Sequence, residues 1–262
     1  MSVSYHPSAG ARRMALALAP AVILCGWFVA GGVSGAVMAG MLWGGVMAAV
    51  RTFLPAYHPH RRFGAANGVT TLRAAGVAVL AAATLHGPGG PFDGWPLVAA
   101  VAALLALDGV DGTLARRTGL ASRFGARFDM EVDAAFALVL TLLLWRTQGM
   151  GAWVLLLGLP RYAFVLAGRI VPSLTRDLPP SWARKAVCVQ QIATLCLLFV
   201  PGLPQEWAFW LGGAAVATLA WSFGRDILWL RRAATTGTSR PAAPPQGTPV
   251  HRAPPPRPRP QP

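Results

Sequence analysis

Five of the nine acidic residues in the chain fall within the 26-residue segment 108–133, which is flanked by apolar runs. They are Asp108, Asp111, Asp129, Glu131 and Asp133. A carboxylate at the centre of a membrane helix costs about 2.5–3.5 kcal/mol, and clustering adds repulsion between like charges. A cationic partner is therefore expected among these side chains, and a divalent metal ion is the simplest candidate.

The spacing arranges four of these carboxylates in pairs. Asp108 and Asp111 are three residues apart at the end of one apolar run, and Asp129 and Asp133 are four apart at the start of the next. On helices each pair shares one face. Two antiparallel helices joined by the basic loop 116–127 would bring both pairs to the same depth. Such an all-oxygen pocket suits Mg²⁺ or Mn²⁺ better than zinc.

The composition is that of a membrane protein. Hydrophobic residues make up 54% of the chain, charged residues 12%, and the mean hydropathy is +0.48. The net charge of +14 does not indicate nucleic-acid binding, because the basic residues lie between apolar runs or in the tail, as at a membrane surface. Three cysteines without metal-ligand spacing are expected to be small buried hydrophobes: Cys25, Cys188 and Cys196.

Eight apolar runs predict an all-α integral membrane protein, a polytopic helical bundle. The runs are 14–30, 33–50, 65–85, 96–115, 128–145, 152–171, 186–200 and 207–223. We expect a six-helix core in residues 64–232, two further transmembrane helices in residues 1–63, and a Pro-rich disordered tail in residues 233–262. A cleaved signal peptide is the alternative for the first run. Two small-residue pairs favour close packing of the first two helices: Gly31/Gly35 and Gly40/Gly44.

Positive charge alternates between the loops. Arginines and lysines occupy every second loop, with Arg146 as the exception. The positive-inside rule then places both termini and the carboxylate pocket on the cytoplasmic side of the inner membrane.

The pattern Asp108-x-x-Asp111-Gly112-x-x-Ala115-Arg116, eight residues, then Gly125-x-x-x-Asp129-x-x-x-Asp133 resembles the complete signature of the CDP-alcohol phosphotransferase family, with all eight defining positions present. The resemblance implies metal-dependent transfer of a phosphatidyl or other substituted phosphate group from a CDP-alcohol, such as CDP-diacylglycerol, to an alcohol, releasing CMP. It assigns two metal ions to the four aspartates, with Asp133 also the base. It gives close approach of the nucleotide to Gly112, Ala115 and Gly125, and a phosphate clamp to Arg116.

Weaker similarities extend beyond this signature. Asn67, Thr70 and Arg73 resemble the start of the family's first core helix beside the nucleotide, although Asn and Thr also cap helices. Arg161 and Arg169 resemble the paired arginines on the corresponding helix of phosphatidylglycerophosphate synthases, and Arg184 and Gln190 resemble the start of the following helix in the family. Together with Lys185 they are candidate acceptor-binding residues. In that subfamily an acidic residue stands where this chain has Tyr162.

The acceptor is left open by these residues. The basic side chains favour glycerol-3-phosphate, while inositol phosphate, serine or another alcohol remain alternatives. The rival class is a non-enzymatic divalent-cation pathway, against which Arg116 beside the carboxylates argues. Glu131 is expected at the helix end or behind the site, and His58 and His60 are either ligands or interfacial loop residues. A homodimer surrounded by membrane lipid is expected.

Overall fold

The computed structural model describes residues 7–86, 89–90, 92–118, 120–171, 174, 178–179 and 181–235, with the side chains of 110–113, 115–117 and 233–235 left undescribed. Throughout these residues the regular structure is helical. The α-helices are α1 (Pro7–Val29), α2 (Val33–Tyr57), α3 (Ala65–Ala83), α4 (Trp95–Thr118), α5 (Arg123–Thr147), α6 (Pro160–Ile170), α7 (Trp182–Leu197) and α8 (Gln205–Thr235). A 3₁₀-helix, Ala152–Leu157, precedes α6.

Three of these helices are long and apolar enough to cross a membrane. They are α1, α2 and α3, whose most apolar 18-residue segments have mean hydropathies of 1.5, 1.7 and 1.3. Trp95–Gly109, within α4, is a shorter apolar stretch. The chain is therefore a helical membrane protein, as predicted. The count of eight spans stays a prediction, because α6 has 11 residues and extends about 16 Å, against about 30 Å of hydrocarbon.

The sixth apolar run is not one helix. The 3₁₀-helix ends at Leu157, and α6 begins at Pro160, so the proline lies in the first turn of α6. Proline is tolerated there because its missing N–H would have no intrahelical partner. Arg161, which the sequence placed near the middle of a run, therefore lies in the first turn of a short helix.

The first two helices form a hairpin whose close contacts are made by small residues. A Cβ atom added at Gly26 would lie 2.6 Å from Cβ of Ala39, and one at Gly35 would overlap Ala30 and the Gly26 carbonyl. One glycine of each predicted pair is at the contact: Gly35, and Gly40, whose added Cβ would lie 3.5 Å from Ile23. The other two are not, since Gly31 has φ +65° in the connecting turn and a Cβ added at Gly44 would meet no described atom within 4 Å.

Helix α3 lies at the centre of the bundle and contacts α1, α2, α4 and α5. Its middle and end bury a series of small residues: Ala74, Ala75, Ala78, Ala81, Ala82 and Ala83. Small side chains allow neighbouring backbones to approach closely, which is the usual basis of helix packing in membranes. The first half of α3 buries polar residues instead: Asn67, Thr70, Thr71 and Arg73.

Two peripheral expectations are corrected at this level. Cys25 and Cys188 are exposed and Cys196 is partly buried, since an apolar run that lines a membrane has an outward face that hydrophobicity alone does not reveal. Helix α8 continues to Thr235, three residues into the predicted tail, and 236–262 lie outside the described residues.

Candidate active site

Carboxylates from α4 and α5 converge. Oxygen atoms of Asp108, Asp129 and Asp133 lie within 4.8 Å of one another, so the predicted juxtaposition of the two helix ends is observed for these three. The side chains of Asp111, Gly112, Ala115 and Arg116 lie outside the described residues. The spacing of four between Asp129 and Asp133 places both on one face of α5.

Arg73 of α3 lies among these carboxylates. Its Nη1 is 2.8 Å from Oδ1 of Asp108 and 2.8 Å from Oδ1 of Asp129, and its Nη2 is 2.5 Å from Oδ1 of Asp133. The guanidinium is buried, with 2% exposed. The cation that the acidic cluster required is thus, in part, an arginine. Sequence reasoning placed Arg73 beside the nucleotide; its position in an apolar, alanine-rich helix was the available signal, because such an arginine needs a counter-charge.

The donor set fits a divalent metal ion. Carboxylate oxygens are the ligands that Mg²⁺ and Mn²⁺ prefer. Three carboxylates from two helices therefore supply oxygen ligands within reach of one ion. The three aspartates are 37%, 38% and 47% exposed, so the cluster can be reached from outside the bundle.

The start of α5 is fixed by a serine cap and by α3. Ser122 Oγ accepts a hydrogen bond from the Gly125 N–H at 3.0 Å, satisfying one of the donors that a helix N-terminus leaves free. A Cβ at Gly125 would lie 2.8 Å from Oδ1 of Asn67. Glycine is therefore required here by packing against α3 as well as by the expected approach of a nucleotide.

The other two residues of the α3 motif each donate a hydrogen bond to a carbonyl four residues earlier in the chain. Asn67 Nδ2 donates to the Phe63 carbonyl, and Thr70 Oγ1 donates to the Ala66 carbonyl at 3.1 Å. These bonds satisfy polar groups of both side chains, which are buried near the start of α3. A role for Asn67 and Thr70 beside the nucleotide stays a prediction.

The predicted acceptor-binding cations are held by different carboxylates. Arg161 Nη2 lies 2.5 Å from Oε1 of Glu131, on the α5 turn between Asp129 and Asp133. Arg184 Nη1 instead lies 3.2 Å from Oδ2 of Asp226 on α8. Glu131 was expected at the helix end or behind the site, and its contact is with Arg161.

The remaining predicted acceptor residues lie on α6 and α7. Arg169 is exposed in the last turn of α6, and Lys185 lies over the ring of Trp182, 5.0 Å from its centroid. Gln190 is partly buried on α7, and its neighbour Gln191 donates to the Leu157 carbonyl. Helix α7 contacts α4 and α5, so it borders the helices that carry the carboxylates.

The histidines of the loop after α2 bond to the loop before α5. His58 is buried, and its ring nitrogens contact Ser122 Oγ and the Arg62 carbonyl; His60 Nε2 contacts the Ala121 carbonyl at 3.1 Å. Neither histidine belongs to the group of carboxylates that could hold a metal.

Comparison with known proteins gives a family match. Residues 63–221 match the family model described as CDP-alcohol phosphatidyltransferase, a range that contains the carboxylate cluster, Arg73 and every signature position. No curated protein and no solved structure gave a significant match.

Proposed function

This chain belongs to the CDP-alcohol phosphatidyltransferase family, and from that premise we propose that it transfers a phosphatidyl group from CDP-diacylglycerol to a phosphate-bearing alcohol. The family assignment makes the chain a membrane enzyme that transfers a substituted phosphate group from a CDP-alcohol to an alcohol acceptor. The identities of the lipid and of the acceptor are the proposed part.

The convergence of Asp108, Asp129 and Asp133 within 4.8 Å is the observation that carries the proposal. Together with Asp111 of the signature, these residues would hold Mg²⁺ or Mn²⁺, with two ions expected from the family resemblance. When bound, the metal neutralises pyrophosphate charge and polarises the attacked phosphorus. Arg73 contributes fixed positive charge beside the same oxygens and holds the three side chains together.

Asp133 is proposed as the base. Its carboxylate would take the proton of the acceptor hydroxyl as the acceptor oxygen forms a bond to the phosphorus of the phosphatidyl group. The bond from that phosphorus to the oxygen of CMP breaks, and CMP leaves with the electron pair. Arg73 Nη2 lies 2.5 Å from Oδ1 of Asp133 and so limits the orientations of this carboxylate. This contact supports a geometry in which Oδ1 is held by Arg73 and Oδ2 faces the acceptor.

The nucleotide would lie against the small residues of the signature. Gly112, Ala115 and Gly125 allow close approach of the backbone, and Arg116 would bind phosphate with its planar fork of donors. At Gly125, an added Cβ atom would lie only 2.8 Å from Asn67 Oδ1, so packing against α3 also excludes a side chain at this position.

A phosphorylated acceptor, glycerol-3-phosphate in first place, is favoured by Arg161. The Nε of Arg161 is buried and has no hydrogen-bond partner among the described residues, while its Nη2 holds Glu131 beside the α5 aspartates. A buried donor without a partner is unfavourable, and an acceptor phosphate would satisfy it. Arg169, Arg184, Lys185 and Gln190 are proposed as further acceptor-side residues.

The active site is proposed to face the cytoplasm. The alternation of basic loops supports this orientation, and reporter fusions at the two termini would test it. A homodimer is also proposed, and its mass in detergent, measured by light scattering, would test that.

The deciding experiment incubates the purified protein with CDP-diacylglycerol, Mg²⁺ and a panel of acceptors: glycerol-3-phosphate, inositol phosphate, serine and glycerol. We expect CMP release with a phosphorylated acceptor, abolished by EDTA. Asp133→Asn should lower the rate by about 10²–10⁴-fold. Asp93→Asn is the matched control, since Asp93 Oδ2 accepts from the Gly89 N–H in a separate loop. CMP release that is unaffected by EDTA or by Asp133→Asn would refute the proposal.

A further inference from the structure

His58 connects the N-terminal helices to the start of α5. It follows the last residue of α2 and precedes residues 63–221, which match the family. The side chain is buried, and its Nδ1 lies 2.9 Å from Ser122 Oγ, 64 residues further along the chain. Its Nε2 lies 2.8 Å from the Arg62 carbonyl.

The partners define the direction of these hydrogen bonds. A carbonyl oxygen can only accept, so His58 Nε2 carries the hydrogen that it donates to Arg62. In the neutral imidazole, Nδ1 then accepts from the Ser122 hydroxyl. The same hydroxyl oxygen accepts from the Gly125 N–H at 3.0 Å. The chain of bonds therefore runs from Gly125 through Ser122 to His58 and ends on the backbone before α3.

Packing reinforces this connection. The ring of Phe124 lies edge-on to His58, with centroids 6.2 Å apart. Phe124 also belongs to a buried cluster with residues of α1, of α2 and of the loop after α2: Ala11, Val50, Leu54 and Phe63. His60 adds a bond to the Ala121 carbonyl at 3.1 Å. The first turn of α5 is thus held from the side of the N-terminal helices.

We propose that His58 is a positioning residue for the reaction, acting through Ser122 to fix the first turn of α5. Gly125 lies one helical turn before Asp129 on the same face, so the orientation of this turn determines where the nucleotide-facing glycine and the α5 carboxylates lie. The inference rests on the proposed function for its catalytic consequence. It gives the segment that precedes the family match a direct part in shaping the site.

Three substitutions separate the two bonds of His58. His58→Asn keeps an acceptor at the position of Nδ1 and loses the donor to Arg62. His58→Gln places a donor near the position of Nε2 and loses the acceptor for Ser122. His58→Ala loses both. Thr52→Ala on α2 is the control, because the exposed Thr52 hydroxyl bonds to the Ala48 carbonyl of its own helix.

The first readout does not need activity. Hydrogen–deuterium exchange of peptides covering residues 120–128 should be about fivefold faster in His58→Ala and His58→Gln than in wild type, the size expected for loss of a helix cap. His58→Asn and Thr52→Ala should exchange like wild type. Equal exchange in all variants would overturn the proposal, whether or not the protein releases CMP.

The second readout measures the catalytic consequence. His58→Ala should raise the KM for CDP-diacylglycerol about fivefold and leave the KM for the acceptor unchanged. The double variant His58→Ala/Ser122→Ala should show no further increase over Ser122→Ala, because both act on one chain of bonds. Additive effects, or a uniform loss of kcat in every variant, would refute positioning through Ser122. Absence of CMP release from wild type would refute the proposed function instead, and the exchange comparison would still decide the role of His58.

Discussion

Replacing Arg73 with glutamine should make the stability of the carboxylate cluster depend on divalent metal. Arg73 is 2% exposed and contacts Asp108, Asp129 and Asp133. Removing one partner of a buried ion pair costs about 3–5 kcal/mol. Because the aspartates are 37–47% exposed, solvent screening lowers the expected loss to about 2–3 kcal/mol.

A bound metal should restore most of that loss. A ligand at 100 times its Kd stabilises the folded state by about 2.7 kcal/mol, which is similar to the loss from Arg73→Gln. In wild type the guanidinium already balances part of the charge and competes with the metal for the same oxygens. The stabilisation by Mg²⁺ should therefore be larger in Arg73→Gln than in wild type.

Thermal unfolding in detergent measures both effects. In EDTA, Arg73→Gln should unfold about 5–10 °C below wild type, and a Mg²⁺ titration should close most of that gap. Arg146→Gln is the matched control, since it removes the same charge from an exposed arginine whose Nε lies 3.4 Å from the Thr84 carbonyl. Equal Mg²⁺ shifts in wild type and Arg73→Gln, or no loss of stability in EDTA, would show that Arg73 does not balance the charge of the three aspartates.

Three further substitutions test the packing and the acceptor side. Gly125→Ala should raise the KM for CDP-diacylglycerol and destabilise the protein by about 1–3 kcal/mol, because the methyl group would meet Asn67 Oδ1 at 2.8 Å; unchanged kinetics and unfolding temperature would contradict this. Gly35→Leu should lower the yield of folded protein by separating α1 from α2, whereas Gly44→Leu should not, because a Cβ added at Gly44 would meet no described atom within 4 Å; similar yields would count against the hairpin packing. Arg161→Gln should raise the KM for a phosphorylated acceptor about tenfold and leave that for CDP-diacylglycerol unchanged; the reverse pattern would place Arg161 on the nucleotide side.

The local pattern of the aspartates was sufficient to predict their convergence. Spacings of three and four residues assign pairs to single helix faces, and a short connection makes the two helices antiparallel, so Asp108 and the α5 pair had to approach one another. The helix break before Pro160 was not predicted, because residues 152–171 read as one apolar run. A proline alone does not mark a break, since Pro20 and Pro55 lie inside α1 and α2.

Contacts between distant segments could not be predicted in the same way. The sequence predicted a cation among the aspartates without identifying Arg73, because the rotation of α3 about its axis depends on packing with four neighbours. The glycines at the α1–α2 contact were only partly identified for the same reason: Gly35 was predicted and lies there, Gly26 lies there and was not predicted, and Gly44 was predicted but does not face α1. The bond between His58 and Ser122 joins two loops whose proximity follows from the assembled bundle.

The alanine-rich surface of α3 has a consequence for truncated forms of the protein. Lipid chains are as apolar as the side chains of α1 and α2, so deleting the first two helices would expose little that the bilayer disfavours. The loss would instead be one of fit, because mobile acyl chains cannot reproduce a rigid neighbour at close range. A shortened chain should still insert into the membrane, but α3 would be freer to rotate about its axis. The arginine on α3 would then no longer be held in contact with the carboxylates.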